Sequence, residues 1–368
     1  MPAFICLSIP DAYSGPANGF TPEKFSDAFF SKYMEKFHVP GAAVVIIRPE
    51  SGIFTRGYGF SDLGNKKPVD AKKTLFRLAS ITKLFTAAAA MKLVEDGALS
   101  LDGTAECYLG VSGREKKSGD EFLISDLLTH TTGLDKSFIA ENYGVRTATK
   151  PDWEYLRGLV AKFVPPRTAA RGKKFEYMNS NYEMTLLGVI IGTVSNMSYF
   201  EYIRDNIFNK LNMLDAKFFP DGEERKSLSR GYEYSGKKIS EAAFSYYNNP
   251  PASGLFASAA DVGLFLADNL AAYGSGECVI LKKKTYLEMH STRFDSGKPD
   301  EKMALGFKVS AVKGRRALWH TGTLRGFASM LYIFPDEKTG FFLVYNTGDP
   351  ALREKFLNEF SMNFFRGR

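Results

Sequence analysis

Short apolar runs near both ends of the chain predict β-strands, because they are rich in β-branched and aromatic residues and are bounded by turn sequences. The predicted strands are residues 42–48, 53–60, 317–321, 327–334 and 341–346. The sequence Pro49-Glu50-Ser51-Gly52 joins the first two runs as a hairpin, and the polar sequence PDEKTG joins the last two. We therefore expect strands from both ends of the chain.

Helical patterns fill most of the chain between these strand regions and also flank them. The predicted helices are residues 22–37, 81–96, 122–129, 152–163, 181–196, 199–210, 259–272 and 351–365. Strands at both ends with helices between them predict an α+β fold, in which one antiparallel sheet is assembled from both termini and flanked by helices. The middle of the chain is then an inserted, mainly helical lobe.

The length of 368 residues favours two lobes over one compact domain of ordinary size. Residues 1–105 and 245–368 are predicted to form the sheet lobe, and residues 106–244 the mainly helical lobe. A cleft between such lobes is the usual place for a small-molecule site. We therefore expect the active site in that cleft.

Composition and charge exclude several function classes. The 48 Lys and Arg residues are interspersed with 41 Asp and Glu residues, so the net charge of +7 does not predict nucleic-acid binding. No stretch reaches the roughly eighteen apolar residues of a membrane span, so stable membrane insertion is not expected. The three Cys and four His residues are scattered, and neither a metal site, a cofactor nor a disulfide framework is predicted.

The first residues do not resemble a secretory signal. The apolar run at residues 3–9 has no Lys or Arg before it, and Pro10-Asp11 interrupts it. Free cysteines mildly favour a reducing compartment, whereas a cell-wall substrate would require export. A cytoplasmic location is slightly favoured, and a periplasmic or secreted one stays open, as does the oligomeric state.

A serine precedes a lysine by three residues at three places. These pairs are Ser80 and Lys83, Ser235 and Lys238, and Ser310 and Lys313. Only the first, in RLASITKLF, joins a strand-like segment to an apolar helical run, where residues i and i+3 share a face. A buried Lys83 could then activate the Ser80 hydroxyl as a nucleophile. The pattern alone also allows a helix-capping Ser80 and a Lys83 that extends to solvent.

A Tyr-x-Asn triplet could supply a second proton-transfer group, and it also occurs three times. The triplets begin at Tyr177, Tyr246 and Tyr247. Tyr177 and Asn179 lie where a glycine-led loop enters an apolar helix, a rigid mount on which a phenol could move protons. An ordinary half-buried tyrosine is the alternative interpretation.

The third candidate motif ends an apolar strand, at His320-Thr321-Gly322 in LWHTGTLRGF. A second copy, Lys338-Thr339-Gly340, lies in FPDEKTGFF and is typical of a polar hairpin tip. We therefore favour the first copy as a substrate-binding strand.

Together, LFRLASITK, FEYMNSNY and LWHTGTLRGF resemble the three active-site motifs of the serine β-lactamase and penicillin-binding superfamily. The resemblance is to the branch that contains class C β-lactamases, D,D-peptidases, D-aminopeptidases and family VIII esterases. It covers about residues 40–347, and includes LLTHTTGL at 127–134 and PASGLFASAADVGLFL at 251–266. The fold that it implies is of the β-lactamase/transpeptidase type.

The resemblance implies a serine hydrolase that forms an acyl-enzyme on Ser80. Lys83 and Tyr177 would activate the serine and return protons, including those of the deacylating water. Asn179 would contact Lys83 and the substrate amide. No cofactor is implied.

The resemblance also implies a substrate-binding strand. His320 and Thr321 would line it, and Gly322 would permit close approach of the substrate. The oxyanion hole would consist of the backbone N–H groups of Ser80 and Thr323.

His320 stands where class C β-lactamases usually carry a lysine, and a neutral imidazole attracts a substrate carboxylate less than an ammonium does. We therefore expect a carboxylesterase or a D-stereospecific peptidase, either carboxypeptidase or aminopeptidase, that acts on a small molecule or peptide. A true β-lactamase and a sensor that binds β-lactams or peptides without turnover are the alternatives. His130, in LTHTTGL, is expected to be structural.

Overall fold

The structure, a computed structural model, describes residues 21–109, 122–298 and 301–365. The predictions about residues 3–9 and a secretory signal lie outside this part of the chain. Within it, no helix is long and apolar enough to cross a membrane.

A nine-stranded antiparallel sheet forms the centre of the described structure. The strands of the protein are β1 (Gly41–Arg48), β2 (Gly52–Asp62), β3 (Lys67–Pro68), β4 (Phe76–Arg77), β5 (Arg146–Thr147), β6 (Tyr232–Ser235), β7 (Lys238–Glu241), β8 (Tyr246–Tyr247), β9 (Phe256–Ala257), β10 (Phe294–Asp295), β11 (Lys302–Met303), β12 (Lys308–Val312), β13 (Arg315–Leu324), β14 (Phe327–Phe334) and β15 (Thr339–Tyr345). Their order in the large sheet is β10-β11-β12-β13-β14-β15-β1-β2-β3.

The predicted assembly of the sheet from both ends of the chain is confirmed, because β1 pairs with β15. Val44 lies opposite Leu343 in that antiparallel register, and β1 pairs on its other side with β2. The α+β class and the five predicted strands are therefore correct, with boundaries that shift by a few residues.

Thirteen α-helices surround the sheet in the described residues. They are α1 (Pro22–Tyr33), α2 (Thr82–Glu95), α3 (Ala105–Leu109), α4 (Ile124–Thr129), α5 (Lys136–Asn142), α6 (Trp153–Lys162), α7 (Ser180–Ser195), α8 (Tyr199–Ile203), α9 (Asn209–Leu211), α10 (Pro250–Ser253), α11 (Ala259–Ala271), α12 (Lys283–Met289) and α13 (Ala351–Phe364). The helix predicted at residues 199–210 is interrupted by a π-helical segment, Arg204–Phe208, between α8 and α9.

The two faces of the sheet are covered by different helices because side chains alternate along each strand. In β1, Val45 packs into one buried apolar cluster, with Phe85 of α2 and Phe265 of α11. Val44 packs into a second cluster, with Phe29 of α1 and Phe356 of α13. Strand β1 therefore consists of apolar residues in both alternating positions.

The division into a sheet lobe and a helical lobe remains a prediction. The first cluster joins Phe85, from the range 1–105, to Leu127 and Leu187, from the range 106–244. The two ranges therefore share one apolar core.

Candidate active site

Ser80 lies where the short strand β4 meets the buried helix α2, as the sequence predicts. A turn of 3-10 helix, Ala79–Ile81, connects the two elements. Ala79 has a φ of 51°, in the left-handed region where a residue with a Cβ is strained by about 1–2 kcal/mol. Ala79 itself is fully buried, whereas Ser80 stays partly exposed. The strained residue therefore turns the chain just before the exposed hydroxyl.

Lys83 is fully buried and points at Ser80. Its Nζ donates hydrogen bonds to Ser80 Oγ at 2.9 Å, to the Ala252 carbonyl at 3.1 Å and to Asn181 Oδ1 at 3.3 Å. Burial lowers the pKa of Lys83 to about 7, while the charge of Glu183 opposes this shift. Near neutral pH much of Lys83 is therefore an amine that can accept a proton.

The alternative of a capping serine and a solvated lysine is wrong. Neither the 3-10 turn nor α2 has a side-chain cap, and Lys83 has no exposed surface. The groups bonded to its Nζ are Ser80 Oγ, Asn181 Oδ1 and the Ala252 carbonyl oxygen, all of them within the protein. The alternative therefore fails on geometry.

Tyr177 begins the 3-10 turn Tyr177–Asn179 that leads into α7. Its ring centroid lies 5.8 Å from Lys83 Nζ, and the Ser80 side chain is close enough to act on the pKa of its hydroxyl. Burial raises the pKa of Tyr177, and the Ser80 side chain and the charge of Arg353 oppose this shift. Tyr177 is therefore a phenol at neutral pH, which suits it to donate and relay a proton.

The prediction that Asn179 contacts Lys83 is wrong. Asn179 is fully buried, its Nδ2 donates to the Leu134 carbonyl at 3.1 Å, and its Oδ1 has no hydrogen-bond partner. Asn181, two residues later, holds the lysine instead. Side chains two residues apart on a helix differ in direction by about 200°. Asn179 and Asn181 therefore point to different sides, and the residue at which α7 begins determines which of the two amides faces Lys83.

Strand β13 presents a free edge beside the turn that contains Ser80. Its pairing with β12 ends where Lys308 lies opposite Trp319, whereas its pairing with β14 continues to Leu324. From residue 320 to 324, β13 thus has one strand neighbour in the described part of the chain. An unpaired edge can accept an extended ligand as an added strand.

The hairpin between β13 and β14 determines which amides face this edge. A two-residue turn, Arg325-Gly326, closes the hairpin at the pair of Leu324 and Phe327. Because backbone groups alternate between the two sides of a strand, the N–H groups of Thr321 and Thr323 are directed away from β14. This direction is compatible with the predicted oxyanion-hole role of the Thr323 amide, which remains a prediction.

Gly322 permits the close approach of other segments of this chain, whereas the resemblance predicts the close approach of a substrate. A Cβ on this residue would lie 2.5 Å from the Leu78 carbonyl oxygen, 2.5 Å from Ser329 Oγ and 2.9 Å from Ala79 Cβ. Ser329 Oγ also donates a hydrogen bond to the Leu78 carbonyl at 2.7 Å. The glycine therefore lets β13 pack directly against the residues that precede Ser80.

His320 is a neutral, fully buried imidazole in the wall of the site. Its Nδ1 lies 2.8 Å from the Thr321 carbonyl, which can only accept, so Nδ1 carries the proton and Nε2 is an acceptor that has no partner. Burial lowers the pKa of His320 well below its usual value, and the charges of Lys83 and Lys308 lower it further. The histidine therefore supplies no positive charge.

Lys308, which the motifs did not single out, supplies a positive charge at this edge. Its Nζ lies 4.4 Å from the ring centroid of Tyr177, 4.9 Å from that of Trp319 and 5.8 Å from that of Phe175. The glycine of Lys313-Gly314, between the runs that form β12 and β13, was the sequence signal for a turn that could have found it. A two-residue turn there pairs Lys308 with Trp319, next to His320.

Arg353 is a second cation that the motifs did not single out. It lies on α13, and its Nη1 donates to the Gly322 carbonyl at 2.8 Å and to Thr323 Oγ1 at 2.9 Å. Its charge also acts on the pKa of Tyr177. No local pattern links α13 to β13, so only the tertiary structure reveals this contact.

A buried carboxyl group lies behind Tyr177. Glu183 Oε2 is 2.7 Å from His130 Nδ1, and Thr132 Oγ1 donates to Glu183 Oε1 at 2.6 Å. The His130 ring lies 5.9 Å from the Tyr177 ring, edge to face. Burial raises the pKa of Glu183, and its hydrogen bonds oppose this shift. His130 is thus part of the wall that supports Tyr177, consistent with the structural role expected for it.

Other copies of the motifs lie in hairpins or make hydrogen bonds to the backbone. Ser235 and Lys238 face each other across the β6–β7 hairpin, and Lys338 has a φ of 49° at a hairpin turn. Asn248 Oδ1 accepts hydrogen bonds from the backbone of residues 144 and 145. In the described residues, no group of three or more His, Cys, Asp or Glu side chains is placed to hold a metal ion.

Comparison with known proteins finds relatives along most of the chain. The model of the family described as Beta-lactamase matches residues 26–361. Protein flp of Staphylococcus aureus (strain MW2) is 25% identical over 324 residues, which are 87% of this chain and 62% of that protein. The chain therefore spans less than two thirds of the length of this relative.

Two solved structures share the fold. An octameric penicillin-binding protein homologue from Pyrococcus abyssi superposes with a TM-score of 0.75 and 24% identity, over 95% of this chain and 78% of that one. A beta-lactamase/D-alanine carboxypeptidase from Pseudomonas syringae superposes with a TM-score of 0.74 and 17% identity, over 94% of this chain and 99% of that one. At these identities the likeness establishes the fold.

Proposed function

Because the chain belongs to the Beta-lactamase family, we propose that it is a serine hydrolase that forms an acyl-enzyme on Ser80. The observation that carries the proposal is the 2.9 Å contact between Ser80 Oγ and the fully buried Nζ of Lys83. A lysine whose pKa is lowered to about 7 can remove the serine proton at neutral pH.

Acylation begins when the neutral amine of Lys83 takes the proton from Ser80 Oγ, as that oxygen attacks the carbonyl carbon of the substrate. The backbone N–H groups of Ser80 and Thr323 would stabilise the oxyanion of the tetrahedral intermediate. When the intermediate collapses, the bond to the leaving group breaks and the acyl group stays on Ser80.

Tyr177 returns the proton to the leaving group. Its phenol, which lies close to Ser80 and Lys83, donates to the departing oxygen or nitrogen and recovers a proton from the ammonium of Lys83. In deacylation a water molecule attacks the acyl carbon and gives its proton to the same pair. Ser80 is then released with its hydroxyl restored, together with the carboxylic acid product.

The bond cleaved is an ester or a peptide-like amide. The free edge of β13 supports an extended acyl donor, whose backbone amide could pair with Thr321 or Thr323. The neutral His320 favours a carboxylesterase or a D-stereospecific peptidase over a β-lactamase. The carboxylesterase, the peptidase and the β-lactamase share one acyl-enzyme mechanism and differ only in the class of substrate.

A true β-lactamase is the second candidate, because two cations found beside the site weaken the argument from the neutral His320 against it. Lys308 and Arg353 lie beside β13, where they could attract the carboxylate of a β-lactam or of a C-terminal D-amino acid. The loss of the lysine at position 320 thus leaves other positive charges near the cleft.

Intact-mass measurement after reaction with a fluorophosphonate, and separately with a penicillin, tests the acyl-enzyme. We expect one adduct per chain on wild type and none on Ser80→Ala. Ser235→Ala is the matched control, because it removes the serine of another Ser-x-x-Lys pair, and it should keep the adduct. Absence of an adduct with every acyl donor, or an adduct on Ser80→Ala, would refute the proposal.

Turnover of three substrates then separates the finer alternatives. A p-nitrophenyl ester, a chromogenic cephalosporin and a peptide ending in D-Ala-D-Ala are compared by kcat/KM, each with Ser80→Ala as the blank. Preference for the ester or the peptide supports the first candidate, and preference for the cephalosporin supports the second.

A further inference from the structure

A cavity of about 270 Å³ lies outside the serine site and has an arginine-rich wall. Its charged lining residues are Arg77, Arg225, Arg230, Arg325 and Glu241. Phe244, Phe256 and Phe327 form the aromatic part of the lining. Four guanidinium groups and one carboxylate therefore surround a space large enough for a small molecule.

Two of these arginines are neutralised by carboxylates. Arg230 forms an ion pair with Glu241 at 3.3 Å, and Arg325 forms one with Glu233 at 2.5 Å. These pairs lie at the surface, where each contributes little to stability. The other two arginines, Arg77 and Arg225, have neutral hydrogen-bond partners and form no ion pair within the described residues.

Arg77 is a buried guanidinium that no carboxylate in the described residues accompanies. It is only 7% exposed, and its centre lies 5.1–5.4 Å from the rings of Phe244, Tyr247 and Phe256. Its Nη1 donates to the Ser245 carbonyl at 2.7 Å, and its Nε has no hydrogen-bond partner. Burial lowers the pKa of Arg77 to about 10.

Arg225 lies at the mouth of the same cavity and also has only neutral partners there. Its Nη2 donates to the Tyr246 hydroxyl at 2.6 Å and its Nε to the Pro220 carbonyl at 3.3 Å. Its guanidinium also lies 5.3 Å from the ring centroid of Phe244. The cavity thus joins a buried and an exposed guanidinium, both fixed in position by neutral groups.

A buried charge is costly unless a counter-charge or a set of hydrogen bonds compensates it. We propose that this cavity binds the oxyanion, carboxylate or phosphate, of a small organic molecule. Arg77 and Arg225 contact the anion, because guanidinium groups bind carboxylates and phosphates with paired hydrogen bonds. The apolar part of the molecule packs against Phe244, which is 45% exposed.

This site is separate from the proposed acylation chemistry. Arg77 precedes Ser80 by three residues, and Arg325 follows Thr323 by two, so the cavity borders both segments of the serine site. The proposal does not rest on the acyl-enzyme, because the anion is held by residues that have no part in the proton transfers. Ser80→Ala is expected to bind the anion as wild type does.

Isothermal calorimetry with inorganic phosphate, and separately with benzoate, tests the site at constant ionic strength. We expect saturable binding of at least one of them, and a melting temperature that rises with its concentration. Arg225→Gln should weaken binding at least tenfold. Arg157→Gln is the control, because it removes an exposed arginine from α6, and it should leave binding unchanged.

Arg77→Met provides a second variant, with circular dichroism to verify its fold. Loss of binding in a folded Arg77→Met supports the proposal. Which of the two anions binds, phosphate or benzoate, shows whether the site takes a phosphate or a carboxylate group. Failure of both anions to bind wild type would refute the proposal. Binding that both Arg225→Gln and Arg157→Gln retain equally would also refute it, because the anion would then lie elsewhere.

Discussion

The two faces of the central sheet differ in what they bury. The face covered by α1 and α13 buries an aromatic cluster, whereas the core on the opposite face, to which α2, α7 and α11 contribute, also contains buried ionisable groups. The phenylalanines of the first face are Phe25, Phe29, Phe30, Phe334, Phe341, Phe356 and Phe360. The buried polar residues of the second include Lys83, His130, Asn179, Glu183 and His320.

The two faces therefore contribute differently to the stability of the fold and to the chemistry of the site. Burial of an apolar ring stabilises the fold by about 25 cal/mol per Å² of area removed from water. Burial of a lysine or a glutamate costs free energy, but it also shifts the pKa of the group toward neutral pH. We therefore expect substitutions on the first face to affect folding and those on the second to affect the reaction.

The largest effect on activity is expected from Lys83→Met, which keeps the buried stem and removes the ammonium. kcat/KM should fall about a thousandfold, since a positioned proton-transfer group contributes roughly 10²–10⁴-fold. The measurement is hydrolysis of the best substrate, with the melting temperature recorded in parallel. Lys92→Met, on the same helix but in a surface ion pair with Asp96, is the control and should retain activity. Activity of Lys83→Met within tenfold of wild type would contradict the proposed role.

The largest effect on stability is expected from Phe356→Ala on the other face. The Phe356 ring is fully buried against Phe25 and Phe341, at centroid distances of 5.3 and 5.1 Å. Removing it should lower the free energy of unfolding by about 3–5 kcal/mol through lost burial and a residual cavity. Urea unfolding measures this change, and kcat of the folded variant should equal that of wild type.

Met362→Ala is the matched control for that substitution, because Met362 lies on the same helix and is 42% exposed. We expect its free energy of unfolding to stay within about 0.5 kcal/mol of wild type. Equal losses in the two variants would show that the aromatic cluster has no special part in stability.

A smaller effect, counted per pH unit, is expected in the pH dependence of stability. The pKa of Lys83 is about 7 in the folded protein and about 10.4 in an unfolded chain, so the unfolded state binds more protons between these values. The free energy of unfolding of wild type, relative to Lys83→Met, should therefore rise with pH by up to about 1.4 kcal/mol per unit in this window. Below pH 7 the difference should be constant. Urea unfolding of both proteins from pH 6 to 10 measures it, and a flat difference would show that Lys83 is charged when folded.

The sequence by itself determined the elements and the central pair of the site. Strand β14 lies at the predicted residues 327–334. A continuous apolar run of that length, bounded by turns, is typical of a buried strand. Ser80 and Lys83 share one face near the start of α2 because residues three apart always do. The resemblance of three motifs also indicated the Beta-lactamase family, and the match to the model of that family confirms it. The first two inferences rest on local periodicity and spacing, and the third rests on a resemblance to a known family.

Only the tertiary structure decided which groups surround that pair. Asn181 faces Lys83 in place of Asn179 because the first turn of α7 sets the direction of each side chain. Lys308 and Arg353 reach the site from elements that are adjacent in space and distant in sequence. Burial likewise sets the charge of Lys83 and His320, and it depends on what packs around them. Side-chain direction, long-range contact and desolvation are properties of the folded chain, so no local pattern encodes them.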